Sequence, residues 1–399
     1  MRVQFGQREG ELNLPAENVV AVHRAPVAPP LADPAAAVAA ALEQPLGFPP
    51  LRRALTPDDH VAVALDESLA ALPRLLPPVL RHLQEAGVQL NAVTLVCAPP
   101  STGQPWLEEL PDAFQDVHIE VHQPDDRKKL AYLATTRQGR RIYLNRTVVD
   151  ADQTVILTRR GYDAFLGYGG GAGTLYPALS DADTLRETHS HLSLAVPGAE
   201  PWKLKREAAE VAWLLGVPFL VQVVEGSGGA VVHVLGGPVE TSAEGERLLD
   251  ERWRVEVDEP ADVVIATIGG DPAGHGFAEL ASAFTAAARV VNPNGVIVLL
   301  TDAAPRLGAS ADLMRAHEDP GRALKLLLKE VPGDLEAGYE WTSAATNAKL
   351  YLLSRLSVDV AEELFTTPLE NAAQAQKLLR GRCLVLPDAH HTMAVVRKA

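Results

Sequence analysis

The stretch that decides the reading is Leu157-Thr-Arg-Arg-Gly-Tyr-Asp-Ala-Phe-Leu-Gly-Tyr-Gly-Gly-Gly-Ala-Gly-Thr-Leu-Tyr-Pro177. An apolar run over 154–157 feeds a loop with five glycines in seven positions: Gly167, Gly169, Gly170, Gly171 and Gly173. Glycine reaches positive φ and admits close backbone approach. Successive backbone N–H groups in such a loop can form a concave anion site. Strand followed by glycine loop therefore points to a phosphate or nucleotide cradle. The spacing is neither GxGxxG nor GxxxxGK[ST], so a plain structural turn stands beside that reading.

Outward from the loop, short apolar runs alternate with helical patterns. Strands are expected at 19–22, 60–65, 92–97, 117–121, 154–157, 219–224 and 231–235, then at 263–267, 295–300, 349–353 and 383–386. Helices are expected at 34–42, 72–86, 204–215, 243–252, 277–288, 322–327 and 369–379. Such alternation implies an α/β protein with mostly parallel sheets. At 399 residues the chain exceeds one ordinary core, so two domains are expected. The charged, apolar-poor segment 251–260 precedes a fresh strand, which puts the division at 1–255 and 256–399.

Composition narrows the function classes. The net charge of −15 argues against nucleic acid as a partner, which needs a basic surface. No uncharged apolar run reaches the roughly 18 residues of a membrane span. The N-terminus, Met1-Arg-Val-Gln-Phe-Gly, lacks a signal-peptide pattern, so a soluble, cytoplasmic protein is expected. Cys97 and Cys383 each sit at or near the end of an apolar run and show no CxxC or zinc spacing, so two buried thiols are expected.

Four co-linear segments resemble the nickel-pincer-nucleotide lactate racemase family. They are Gln44-Pro-Leu-Gly-Phe-Pro-Pro-Leu51, the stretch 124–146, the glycine loop continuing through Thr184-Leu-Arg-Glu-Thr-His-Ser-His191, and Gly269-Gly-Asp-Pro272 with the helix after it. The resemblance implies two α/β domains facing each other across a cleft. It also implies a nickel-pincer nucleotide as cofactor and inversion of a 2-hydroxy acid by hydride and proton transfer. The expected ligand is a small hydroxy acid or a nucleotide-like molecule.

The same resemblance marks what this chain keeps. Asp66 matches a kept family aspartate and His189 the nickel-ligand histidine. The carboxylate-binding arginine falls on Leu69, and the two catalytic histidines fall on Ser101 and Asp163. The Arg-Lys pair whose lysine tethers the cofactor falls on Ala172 and Gly173. Second-domain polar positions fall on Ala278, Glu279 and Ser282, and a tryptophan near the cleft on Trp341.

Asp66 and Asp163 are thus the catalytic candidates, the five glycines and Trp341 the cofactor-binding ones, and His189 the metal ligand. A carboxylate in an apolar setting can have its pKa raised and serve as a base, which is the role open to Asp163. Arg159 and Arg160 could pair with it or with phosphate. His275 and the pair His390-His391 lie in loops and form no metal spacing. Two readings follow. One is an isomerase with altered chemistry, holding its cofactor non-covalently. The other is a relative that kept the fold and binds a nucleotide or small acidic metabolite.

Overall fold

The computed structural model describes residues 2–25, 27–99, 103–198 and 202–397. It divides into two compact units, Val27–Leu249 and Met1–Pro26 with Asp250–Ala399. The second unit therefore begins within a few residues of the expected boundary, and it also includes the first 26 residues.

The unit Val27–Leu249 is built on six strands: β1 (Val61–Leu65), β2 (Val93–Cys97), β3 (His118–Val121), β4 (Gln153–Arg159), β5 (Phe219–Glu225) and β6 (Val231–Pro238). Their spatial order is β6-β5-β4-β1-β2-β3, parallel except for the antiparallel edge strand β6. The strands read as continuous apolar runs because both faces are covered. Alternate residues divide cleanly. Ala62, Ala64, Ile156 and Leu220 enter one core, and Val61, Val63, Val155, Leu157 and Val221 the other.

Two helices show why these segments wind as they do. In α1 (Pro34–Glu43), Asp33 accepts from Ala36 N at 3.0 Å and Pro34 takes the first turn, where its missing N–H costs nothing. In α2 (Leu72–Glu85), Leu72, Leu75, Leu76, Val79, Leu80 and Leu83 recur at helical spacing and are all buried.

The other unit centres on five parallel strands: β7 (Ala261–Thr267), β8 (Val291–Leu300), β9 (Lys349–Leu353), β10 (Thr366–Pro368) and β11 (Cys383–Leu386). They lie in the order β10-β9-β8-β7-β11. Helix α3 (Phe277–Ala288) follows β7, and α4 (Leu335–Asn347) precedes β9. The chain also forms an antiparallel pair, Arg2–Phe5 with Arg8–Glu11, that the apolar pattern did not announce. The expected helix over 369–379 shortens to Ala372–Gln376.

Both sheets reverse direction of growth once. In the first, the chain moves outward from β1 to β2 and β3, then restarts at β4 on the other side of β1. In the second it grows from β7 through β8, β9 and β10, and returns at β11 on the other side of β7. The crevice at such a reversal, outside the carboxyl ends of the strands, is where open α/β sheets bind ligands.

The glycine loop supplies a stability test. Gly170 has φ +76, and a Cβ there would run into the carbonyl oxygen of Arg159 and, at 2.8 Å, into Thr158 Oγ1. Gly228 has φ +65 but open space around it. Gly228→Ala should cost about 1 kcal/mol from backbone strain alone. Gly170→Ala should cost at least about 2 kcal/mol more, since the strand end must move as well. Equal losses in urea unfolding of the two variants would refute the close packing of loop on strand.

Candidate active site

The first switch point lies between β1 and β4. Asp66 follows β1, and its backbone N–H donates to Leu157 O on β4 at 3.0 Å. Its carboxylate spans the gap. Oδ2 accepts from Arg159 N at 3.0 Å and from Thr158 Oγ1 at 3.4 Å. Oδ1 accepts from Ser68 N at 3.0 Å and from the Ser68 hydroxyl. Thr174, beyond the glycine loop, donates its hydroxyl to Thr158 Oγ1 at 3.0 Å. Asp66 is therefore fixed by its acceptor duties at the crevice.

On the far side of β4, strand β5 ends in Glu225. This carboxylate is 4% exposed, accepts from Ala70 N at 3.0 Å, and lies 4.0 Å from the Arg159 guanidinium. Burial pushes its pKa up to about 7, against the pull of Arg159 and the Ala70 N–H and with a push from Asp66. Sequence reading did not single out Glu225. The available signal was an acid closing the apolar run Phe219–Glu225. Arg159, Asp66 and Glu225 thus place a guanidinium and two carboxylates on the carboxyl ends of three adjacent strands.

Asp163 has a different occupation. It sits in the antiparallel pair Gly161–Asp163 with Gly167–Gly169, and its Oδ1 accepts from Phe165 N and Leu166 N, both at 2.7 Å. Burial raises its pKa, while those backbone bonds and Arg160 oppose the rise. The geometry makes it the cap of the turn leading into the glycine loop.

The loop packs on its own protein. A Cβ at Gly167 would meet the Trp202 indole at 2.8 Å, one at Gly169 would meet Asp163 Cβ at 3.3 Å, and one at Gly171 would meet Arg160 NH1 at 2.6 Å. Gly173 N donates to Gly170 O at 3.1 Å, so that amide is spent within the loop. Beside the loop lies a cavity of about 380 Å³, lined in part by Tyr168, Gly170, Gly173, Lys205, Trp213 and Glu246. In its wall, buried Arg160 and half-buried Lys205 share the Glu246 carboxylate at 3.0 and 2.6 Å. Lys205 and Glu246 were also absent from the sequence reading.

His189 is half-buried, touches the Phe165 ring at 5.9 Å, and has a buried Nδ1 without a hydrogen-bond partner. Burial lowers its pKa, so the imidazole is neutral at pH 7, the form a metal accepts. Asp66, Asp163 and His189 do not touch one another. Each is tied to the same segment, 158–174: through Arg159, through Phe165 and Leu166, and through the Phe165 ring.

Several expected residues fall elsewhere. Trp341 is a correction. It has no exposure, donates from Nε1 to Leu364 O at 2.8 Å, and packs on Phe277 and Phe284 at 5.0 and 4.8 Å. It is a core residue of α4 and offers no surface to a cofactor. Leu69 is 3% exposed and belongs to the first core. Ser101 lies outside the described residues. Cys97 and Cys383 are buried free thiols, as expected, and burial raises Cys97 to about 12, which makes it inert. Among the described residues, no helix is long and apolar enough to cross a membrane.

The fold and this site define an open-sheet α/β protein with acid–base and guanidinium groups at a sheet switch point. Residues 5–200 match the model described as the lactate racemase N-terminal domain. A lactate racemase of Thermoanaerobacterium thermosaccharolyticum is 20% identical over 361 residues, covering 85% of this chain and 84% of that protein. The structure of the lactate racemase apoprotein from that organism superposes with a TM-score of 0.84 at 19% identity, over 100% of this chain and 99% of the other. A Thermotoga maritima protein shares the fold at TM-score 0.64 and 12% identity, over 84% of this chain and 93% of its own. The chain belongs to the lactate racemase family.

Glu225 carries a pH signature with a definite sign. Its folded pKa, about 7, stands above the ordinary 4.5, so the unfolded chain loses this proton first. Stability from the protonated group is complete below about pH 4.5 and is lost as pH rises towards 7, a difference on the order of 3 kcal/mol. Glu225→Gln should therefore gain on the native chain as pH goes from about 5 to about 8 in denaturant titrations. Parallel stability–pH curves for the two proteins would contradict the buried, protonated carboxyl.

Proposed function

We propose that this chain is a divergent isomerase of its family, acting on a 2-hydroxy acid other than lactate. The observation that carries the reading is the trio Asp66, Arg159 and Glu225 at the strand ends. Arg159 is 30% exposed and only 4.0 Å from Glu225, so its guanidinium retains donors for a substrate carboxylate. Glu225, with a pKa near neutrality, suits proton exchange with the substrate hydroxyl. Asp66 holds the Arg159 backbone and so orients the anchor.

The change of substrate is supported by where that anchor stands. The resemblance puts the family's arginine at position 69, which is here a buried leucine. The guanidinium comes instead from β4, the neighbour of β1 in the sheet, with strands spaced about 4.8 Å apart. A carboxylate held there sits differently from one held by residue 69.

The fit of the family's cofactor divides in two. His189 offers a neutral, unpartnered nitrogen suited to a nickel ion. A covalent lysine tether does not fit: position 173 is glycine, and a side chain there would meet Leu166 Cδ1 at 2.5 Å. A nickel-pincer nucleotide would thus be held by His189 and the loop Gly167–Gly173 without a bond to lysine, and when bound would supply the hydride acceptor. The residues of the chain bind the carboxylate, hold the substrate hydroxyl and move its proton.

The test is interconversion of a panel of chiral 2-hydroxy acids by protein produced together with the cofactor-synthesis enzymes. Arg159→Met should raise KM at least about tenfold, and Glu225→Gln should lower kcat by about a hundredfold or more. Turnover by both variants at native KM and kcat would defeat the residue assignments. Thermal shifts with hydroxy acids but no interconversion would favour the binding-only reading, for which the vacant tether position speaks.

A further inference from the structure

The cavity of about 380 Å³ beside the glycine loop lies wholly within the unit Val27–Leu249. Its lining includes none of Asp66, Arg159, Glu225 and His189, so it is separate from the proposed isomerase centre. Three segments wall it: the glycine loop through Gly170 and Gly173, the helix Lys203–Leu214, and the first turn of the helix Ser242–Trp253. Arg160, Lys205 and Glu246 form a polar end. Leu166, Ala172, Ala208, Val239 and Trp213 supply an apolar wall.

Arg160 is the informative residue. Its backbone N–H donates to Val223 O on β5 at 2.8 Å, which fixes where the side chain leaves the end of β4. That side chain is only 1% exposed. Among the described residues its guanidinium makes one hydrogen bond, from Nη2 to Glu246 Oε1 at 3.0 Å. Nε is buried with no partner. Nη1 lies against Gly171, where a Cβ would stand 2.6 Å away, so glycine leaves that nitrogen uncovered by a side chain. A guanidinium carries five N–H donors, and burying them short of acceptors is costly. Lys205 stands beside it, with Nζ 2.6 Å from Glu246 Oε2 and 4.8 Å from the centre of the Tyr168 ring. Ser242 and Ala243 bring the positive end of a helix into the same wall.

What this end lacks is an acceptor with several lone pairs, and a carboxylate is one. A hydrated inorganic ion would strand water against the apolar wall, whereas an organic acid covers it. Trp213, 61% exposed, offers an indole face to such a body. At about 30 Å³ for each water-sized group, the space holds about a dozen non-hydrogen atoms. We infer that this cavity binds a small organic carboxylate with an aromatic or branched apolar body, its carboxylate taken by Arg160 and Lys205 and its body laid against Trp213. The occupant shares a wall with Gly170 and Gly173, and so touches the glycine loop directly.

The experiment is titration of the full chain with phenylacetate, read by calorimetry and by tryptophan fluorescence. One saturable site is expected, with a fluorescence change that disappears in Trp213→Phe. Phenylacetamide has the same shape without the charge, and inorganic phosphate has charge without the apolar body. Each should bind at least about tenfold more weakly. Lys205→Met removes one donor, and Ala209→Phe fills the cavity from an exposed position, which spares the fold. Both should weaken phenylacetate at least about tenfold. No saturable uptake of phenylacetate, equal uptake of the amide or of phosphate, a fluorescence change that survives Trp213→Phe, or uptake unaltered in Lys205→Met and Ala209→Phe would overturn the inference.

Discussion

The structure of the first unit depends on one carboxylate serving two strands. Asp66 takes the backbone N–H of Arg159 at 3.0 Å while Ser68 holds its other oxygen. A buried or half-buried carboxylate stays at a strand end only if its lone pairs are filled. Here they are filled by the neighbouring strand and by the turn after β1. That fixes the mouth of the crevice, sets where Arg159 leaves β4, and so determines which cation can reach a ligand. The Thr158 hydroxyl extends the tie to Thr174 on the far side of the glycine loop.

The glycine loop follows from the same constraint. Its segment must double back over the end of β4, close enough that a methyl group at Gly170 would strike the Arg159 carbonyl. The run of glycines is explained by chain packing on chain, whether or not a ligand also comes near. At Gly173 the space a side chain would take is held by Leu166. In the neighbouring wall Arg160 and Lys205 share Glu246.

The apolar periodicity made the strands legible because both faces of each sheet are covered, and a doubly covered strand writes itself as a continuous run. The pattern 154–157 and the pattern 219–224 both became strands, each longer at its carboxyl end than the apolar residues alone. Those extra residues, Arg159 and Glu225, are the polar ends on which the site is built. Arg159 was named only as a partner for Asp163 or phosphate, and Glu225 was hidden, because a charge at the end of an apolar run reads as solvated terminus and its burial depends on a partner far away in sequence. Asp66 was found by resemblance, and its acceptor role needed the register of β1 against β4. Trp341 was misplaced for the converse reason. An aromatic in a helix says nothing of which face it takes, and here Phe277 and Phe284 enclose it.

Two sheets with different strand orders put their polar groups in equivalent places, beyond the carboxyl ends at the single reversal of each. Both also use a carboxylate accepting a backbone N–H across the reversal, Asp66 from Arg159 and Asp388 from Gly269. At a reversal the two connections leave in opposite directions and open a gap that no crossover helix covers. A backbone N–H at that gap needs an acceptor, and an aspartate is the short one that can satisfy it without filling the gap. The remaining space then falls to the side chains at and just past the strand ends: a guanidinium and a buried carboxyl in one unit, imidazoles in the other. The chemistry of each site is thus decided by a few residues just past a strand end.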